Sequence, residues 1–288
     1  MRTSFTPLLS SLADLRVGDA LPIRVMAILN VSPESFYQGS VQTDRDSLAE
    51  AARAAANAGA DIIDIGAMST APYLKTHISA AEETERLARA VEIVTSSVPI
   101  PVSADTQCAQ VAAAALAAGA RIINDVSGLK HDPDMAALVA RSGAGVIVMA
   151  SELVPPGTGS PITRIRTALE ESLRIAAQAG ISSDRIVLDP GIGFFRQPGI
   201  PWDEWDCTVL RELTALRALG FPLLVGVSRK SFIGKILGQP AAADRLLGSL
   251  ACAAIAAVNG AHIIRVHDVK ETVETVRMAE RLRPVFSD

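Results

Sequence analysis

Short apolar runs with no helical period alternate along this chain with longer stretches of amphipathic or alanine-rich character. Eight apolar runs, at 23–31, 60–67, 101–106, 121–126, 145–149, 185–188, 223–227 and 261–266, have the length and β-branching of buried strands. Helical patterns fill the gaps at 44–58, 80–97, 107–118, 133–142, a segment ending at Gly180, 206–219, 241–259 and 271–282. Gly59, Gly119, Gly180 and Gly260 each follow such a pattern just before a strand, where a helix-ending glycine belongs. Asp132 is the expected N-cap of the 133–142 helix, with Pro133 at its first position. The segment 195–205, carrying both tryptophans, is expected as a loop. Eight strand–helix units run through 23–288 with no linker between them. That order predicts an α/β chain folded as a single (β/α)8 TIM barrel domain. Residues 1–22 are expected to form a short N-terminal extension, a strand or hairpin that plugs one barrel end. A doubly wound open sheet is the alternative, but the Gly-x-Gly-x-x-Gly turn it usually carries after strand one is absent.

Composition narrows the function classes. The 288 residues are 49% hydrophobic and 20% charged, enough for a large core. A net charge of −4 and an aromatic content of 4% speak against a nucleic-acid partner, so any anion must be gripped locally. Cys108, Cys207 and Cys252 are widely spaced and odd in number, which predicts inert thiols in a reducing cytoplasmic setting and no structural zinc. No apolar run reaches the ~18 residues of a membrane helix, and the first residues make a poor signal peptide.

Chemistry gathers where the strands end. In a barrel the carboxyl ends of all strands face one side. Here they bear Asn30, Ser69 and Thr70, Asp105, Asn124, Asp189, Lys230, Arg265 and His267. Carboxylates and an amide among apolar walls suit a heterocycle that presents donors. Lys230, Arg265 and His267 suit an anion or a heterocycle carbonyl. Each has a plainer reading: Asp105 and Asn124 as helix caps, Asp189-Pro190-Gly191 as a turn, Arg229-Lys230 as solvated loop charges. Asp125 alternates away from Asn124 and reads as structural, and His77, His131 and His262 as surface or packing histidines. No zinc-type Cys/His spacing and no Gly-x-Ser-x-Gly elbow is present. The coincidence of several polar strand ends carries the functional reading.

The segments MAILNVSPESF, ADIIDIG followed by ST, SADT, AGARIINDVSG, LDPGIGF, LLVGVSRKSFIG and GAHIIRVHDVKET make the chain resemble the dihydropteroate synthase family over about 23–282. The resemblance implies a transferase of folate biosynthesis. It condenses 6-hydroxymethyl-7,8-dihydropterin diphosphate with an aminoaryl partner, normally 4-aminobenzoate, and releases diphosphate with Mg²⁺ bound. It implies that Asp105, Asn124 and Asp189 take pterin donors and Lys230 the pterin carbonyl. Arg265 and His267 would hold diphosphate, and Asn30 would touch metal and diphosphate. Phe194, Lys230, Ser231 and Thr70 would contact substrate, the first three on the amine side. Arg265, His267, Lys230 and Asp105 are the candidate catalytic set. Family members are usually dimers, and the 241–259 and last helices are candidate contacts.

The departures lie in loops. The usual Glu-Ser-Thr-Arg-Pro-Gly reads Met68-Ser69-Thr70-Ala71-Pro72-Tyr73, so its arginine is gone. Gln38 stands where the family places an acid, Met149 is followed by Ala150-Ser151 rather than His, and the loop after Phe194 lacks Gly-Lys-Thr. These changes admit a larger amine, a ribosylated aniline phosphate, beside 4-aminobenzoate. A pterin-dependent methyltransferase and a non-catalytic pterin-binding homologue are the alternatives. Retention of Ser228-Arg229-Lys230-Ser231 and Arg265-Val266-His267-Asp268 argues against the methyltransferase, whose substrate carries no diphosphate.

Overall fold

A computed structural model describes residues 7–31, 44–68, 78–152, 159–195 and 199–282. The chain opens with an antiparallel hairpin, β1 (Leu9–Leu12) and β2 (Leu15–Gly18). Eight parallel strands come next: β3 (Arg24–Asn30), β4 (Ile62–Gly66), β5 (Val102–Asp105), β6 (Ile122–Asp125), β7 (Gly145–Met149), β8 (Ile186–Asp189), β9 (Leu224–Gly226) and β10 (Ile263–Val266). Their order is β8-β7-β6-β5-β4-β3-β10-β9, and the Leu188–Leu223 bridge joins the two outer strands, so the sheet closes as the expected (β/α)8 barrel.

Nine helices among the described residues surround it: α1 (Arg45–Asn57), α2 (Ala80–Thr95), α3 (Ala109–Ala117), α4 (Met135–Ser142), α5 (Pro161–Ala179), α6 (Trp202–Arg211), α7 (Ser231–Leu237), α8 (Leu246–Val258) and α9 (Val269–Leu282). Asp44, Ser79 and Ser160 cap α1, α2 and α5 through their side chains, and Gly180 ends α5 in the left-handed conformation.

Three expectations need correction. The helix expected over 206–219 begins at Trp202 and turns into a 3-10 segment, Leu213–Leu219. Both tryptophans therefore lie on α6 and not in a loop. The helix expected from 241 begins at Leu246 after a 3-10 turn, and the short α7 precedes it. Asp132, whose Oδ1 accepts the Asp134 N–H at 3.0 Å, stands in the turn before α4, which begins at Met135 and not at Pro133. Its Oδ2 accepts the Ala109 N–H at 2.8 Å, at the start of α3, whose own N-cap Cys108 makes no side-chain capping bond.

Alternation along the strands builds the interior. Residues facing the helices form one large core, including Val25, Ile63, Ile123 and Val225. The opposite faces point into the barrel. There Met26, Ile62, Ile122, Ile147, Val187, Leu224 and Ile263 form a fully buried layer with Leu12 and Val17 of the hairpin. The hairpin thus seals the amino end of the barrel. Asp19 secures it, accepting the Leu8 N–H and two bonds from the Arg217 guanidinium, at 2.8–2.9 Å. No single helix among the described residues is long and apolar enough to cross a membrane.

Candidate active site

Two residues beyond that apolar layer, on the same face of each strand, the interior turns polar: Ile62 gives way to Asp64, Ile122 to Asn124, Val187 to Asp189 and Ile263 to Arg265. Asp105 joins them from the end of β5, paired in register with Asn124 and Gly66. Asp105 and Asn124 are therefore strand residues and not helix caps.

Arg265 is the hub. Its Nε donates to Asp64 Oδ2 at 2.6 Å and its Nη2 to Asp105 Oδ2 at 2.8 Å. Asn124 Nδ2 donates to the same Asp64 Oδ2 at 3.0 Å. One guanidinium thus serves two buried carboxylates. Burial drives the Asp105 pKa up, and the Arg265 charge only partly offsets it while Asp64 adds repulsion. Asp64 Oδ1, Asp105 Oδ1 and Asn124 Oδ1 are buried and have no hydrogen-bond partner among the described residues. Leaving buried acceptors unmet costs stability, so three together mark a place prepared for donors.

Asp189 ends β8 and supports the next turn, its Oδ1 accepting the Gly191 N–H at 2.8 Å. The turn reading for it is thus half the story, because its side chain also belongs to the interior polar set. Burial raises its pKa as well, against the pull of Lys230 and Arg265. Lys230, after β9, is not a solvated charge. Its Nζ donates to the Ile192 carbonyl at 2.8 Å and lies 4.5 Å from the Phe194 ring centroid. Gly193, at φ +86°, makes this approach possible, since a Cβ there would come within 2.8 Å of Lys230 Cδ.

Arg229 turns the other way. It makes a bidentate pair with Asp268 at 2.6 and 2.9 Å and donates to the carbonyls of Ala242 and Ala243, which makes it a structural tie. His267 Nδ1 lies 3.0 Å from Ser228 Oγ. Burial, with the Arg265, Arg229 and Lys230 charges, pushes the His267 pKa down to about 3, so it is a neutral imidazole at pH 7. Ser231 opens α7. Asn30 ends β3, and between it and Asp105 sits Gly66, where a Cβ would lie 3.6 Å from Asn30 Oδ1 and 3.8 Å from Asp105 Oδ2. Thr70, with the altered residues Gln38 and Ala71, lies outside the described residues. Burial raises Cys252 to about 11 and Cys207 upward, as inert thiols require.

A profile of the pterin binding enzyme family matches residues 26–267. A dihydropteroate synthase of Synechocystis is 39% identical over 264 residues, spanning 90% of this chain and 89% of that protein. The Escherichia coli dihydropteroate synthase is 38% identical over 262 residues, 89% of this chain and 90% of its own. The chain belongs to the dihydropteroate synthase family. The Yersinia pestis dihydropteroate synthase structure with a sulfonamide drug superposes with a TM-score of 0.86 at 35% identity, covering 96% of this chain and 99% of that one. The Xanthomonas albilineans dihydropteroate synthase with 4-aminobenzoic acid gives 0.85 at 33% identity, over 97% and 100%. This chain is thus a synthase-type transferase.

Within this family member, sequence reasoning brought Asp105, Asn124, Asp189, Lys230 and Arg265 to one interior, and the structure assembles them there. It missed Asp64, hidden inside the apolar run Ile62–Gly66. The signal present was a lone acid in a run of fully buried positions, where an ionisable side chain requires a partner.

Proposed function

We propose that the mouth binds the edge of 6-hydroxymethyl-7,8-dihydropterin diphosphate and joins its exocyclic methylene to the amino group of 4-aminobenzoate, releasing diphosphate. The unmet acceptors of Asp64, Asp105 and Asn124 carry this reading, because a pterin edge supplies the ring and amino N–H donors they lack. Asp189 takes a further donor. Lys230, already engaging one carbonyl, is the donor for the pterin oxygen.

As the carbon–oxygen bond breaks, negative charge grows on diphosphate and positive charge on the methylene. The buried carboxylates favour the latter, while Arg265 and neutral His267, the second as a hydrogen-bond donor, favour the former. The arylamine lone pair then forms the carbon–nitrogen bond, and the amine loses a proton to solvent or the departing diphosphate. Phe194 and Ser231 line the amine side. Family members with 4-aminobenzoate or pteroic acid in their structures support the smaller amine over a ribosylated aniline phosphate.

No cluster of three acidic, histidine or cysteine side chains suited to a metal occurs among the described residues. The Asn30 amide oxygen beside the Gly66 gap fits Mg²⁺, which accepts few protein oxygens and completes its shell with phosphate and water. When bound, the ion would neutralise leaving-group charge. A cytoplasmic homodimer is part of this proposal, with exposed Ile236 and Leu237 on α7, Leu247 and Ile255 on α8, and Met278 on α9 as the contact surface. Turnover with dihydropterin diphosphate and each amine, with and without Mg²⁺, tests the proposal. Faster turnover with 4-aminobenzoate is expected, and none with either amine would overturn it.

A further inference from the structure

The turn between β8 and α6, residues 191–195, is held at every position, and two of its anchors come from α6. Asp189 takes the Gly191 N–H, and Lys230 takes the Ile192 carbonyl and covers the Phe194 ring. The fully buried Asp206 accepts the Gly193 N–H at 2.8 Å through Oδ1. Its neighbour Trp205 stacks on Phe195 with centroids 5.0 Å apart and planes 21° apart. On its other side Trp205 meets the Arg164 guanidinium of α5 at 4.6 Å, and Arg164 forms a two-bond pair with Glu152, just beyond β7.

We propose that Asp206 and Trp205 are positioning residues, a clamp from α6 that sets the Ile192–Phe194 turn and, through it, the Lys230 ammonium. The Arg164–Glu152 pair backs the clamp and ties it to the segment after β7. Gly193 explains why the coupling is tight. It has no side chain of its own to hold it and passes so close to Lys230 that its position and the lysine's are set together. The catalytic consequence rests on Lys230 being the donor to the pterin oxygen, whereas the geometric claim stands without it.

The test has two arms on the intact protein. In the first, Lys230 is acylated with a limiting amine-reactive ester and quantified by mass spectrometry. Asp206→Ala is expected to speed labelling of Lys230 about tenfold, the loss expected when a hydrogen bond to a charged group is removed. Asp206→Asn, which keeps the acceptor, should stay near wild type, and Trp205→Phe, which keeps a ring on Phe195, should change it less than Trp205→Ala. Unchanged labelling in both Asp206→Ala and Trp205→Ala, with native circular dichroism, overturns the proposal. In the second arm, kcat and KM are measured for Asp206→Ala, Lys230→Ala and the double variant. The clamp predicts that the double variant is no worse than Lys230→Ala alone, whereas independent losses that multiply contradict it. If wild type has no turnover, the functional reading fails while the labelling arm still decides the clamp.

Discussion

The two ends of the barrel are built from the same residue types and put them to opposite uses. At the amino end, Asp19 accepts from the Leu8 backbone, from both terminal nitrogens of Arg217 and from His262 Nε2 at 3.0 Å. His262 Nδ1 in turn accepts the Leu223 N–H at 3.0 Å, so the imidazole is neutral with its proton on Nε2. The group is closed. At the carboxyl end, Asp64, Asp105, Asn124 and Arg265 share three bonds and leave three buried acceptor oxygens over. The pKa directions diverge accordingly. Burial would raise Asp19, but the His262 and Arg217 bonds outweigh it and hold its carboxyl well below the usual range. Burial wins at Asp105 and raises it. A satisfied cluster locks a fold, and an unsatisfied one waits for a substrate.

The largest expected effect separates the two arginines. Arg265→Ala should lower turnover by roughly 10²–10³-fold, the usual loss when a group stabilising developing charge is removed. Arg217→Ala should leave the folded protein active but cost about 3–5 kcal/mol of stability, because Asp19 is left half-buried without its main partner. Steady-state kinetics and urea unfolding of both variants check this. Next, Asp105→Asn should impair turnover while leaving stability unchanged or raising it by about 1 kcal/mol, since one guanidinium no longer serves two buried carboxylates.

Smaller in size, the pH dependence of unfolding should split by end. Asp19 is depressed in the fold, so its contribution is complete above its ordinary value of 3.8 and is lost as pH falls below it. Asp19→Asn should flatten that acid limb. Asp105 and Asp189 are raised, so the native state binds their protons more readily and their contribution is greatest at low pH. It declines as pH climbs from 3.8 through their raised values, and Asp105→Asn should flatten that part of the curve. Urea unfolding from about pH 3 to about pH 8 measures both limbs.

Much of this was legible in the chain, for physical reasons. Strand ends stood out because an apolar run stopping on Asn124 or Asp189 breaks a clear pattern. The plug expected within the N-terminal extension is seen, among the described residues, in the hairpin Leu9–Gly18, whose Leu12 and Val17 join the barrel's apolar layer. Other features depend on contacts distant in sequence. Asp132 has the local look of a cap, and its Oδ1 does take the Asp134 N–H, but only tertiary packing sends its Oδ2 to α3. The seven residues of α7 are too few to show a period. The start of α6 did leave a signal, Asp203 and Glu204 in the first turn after Pro201. Arg229 and Lys230 are adjacent and equally charged, yet Arg229, at a left-handed φ of 55°, pairs with Asp268 while Lys230 reaches the Ile192 carbonyl, partners that no local pattern names.

The most direct measurement is calorimetric titration of a 6-hydroxymethylpterin into wild type and Asn124→Leu, a change that removes an interior acceptor without adding charge. A loss of affinity of about tenfold or more, with Arg217→Ala unchanged beside it, is the predicted result. Equal affinity in wild type and a natively folded Asn124→Leu would contradict the claim that the unmet acceptors of the mouth are the pterin site.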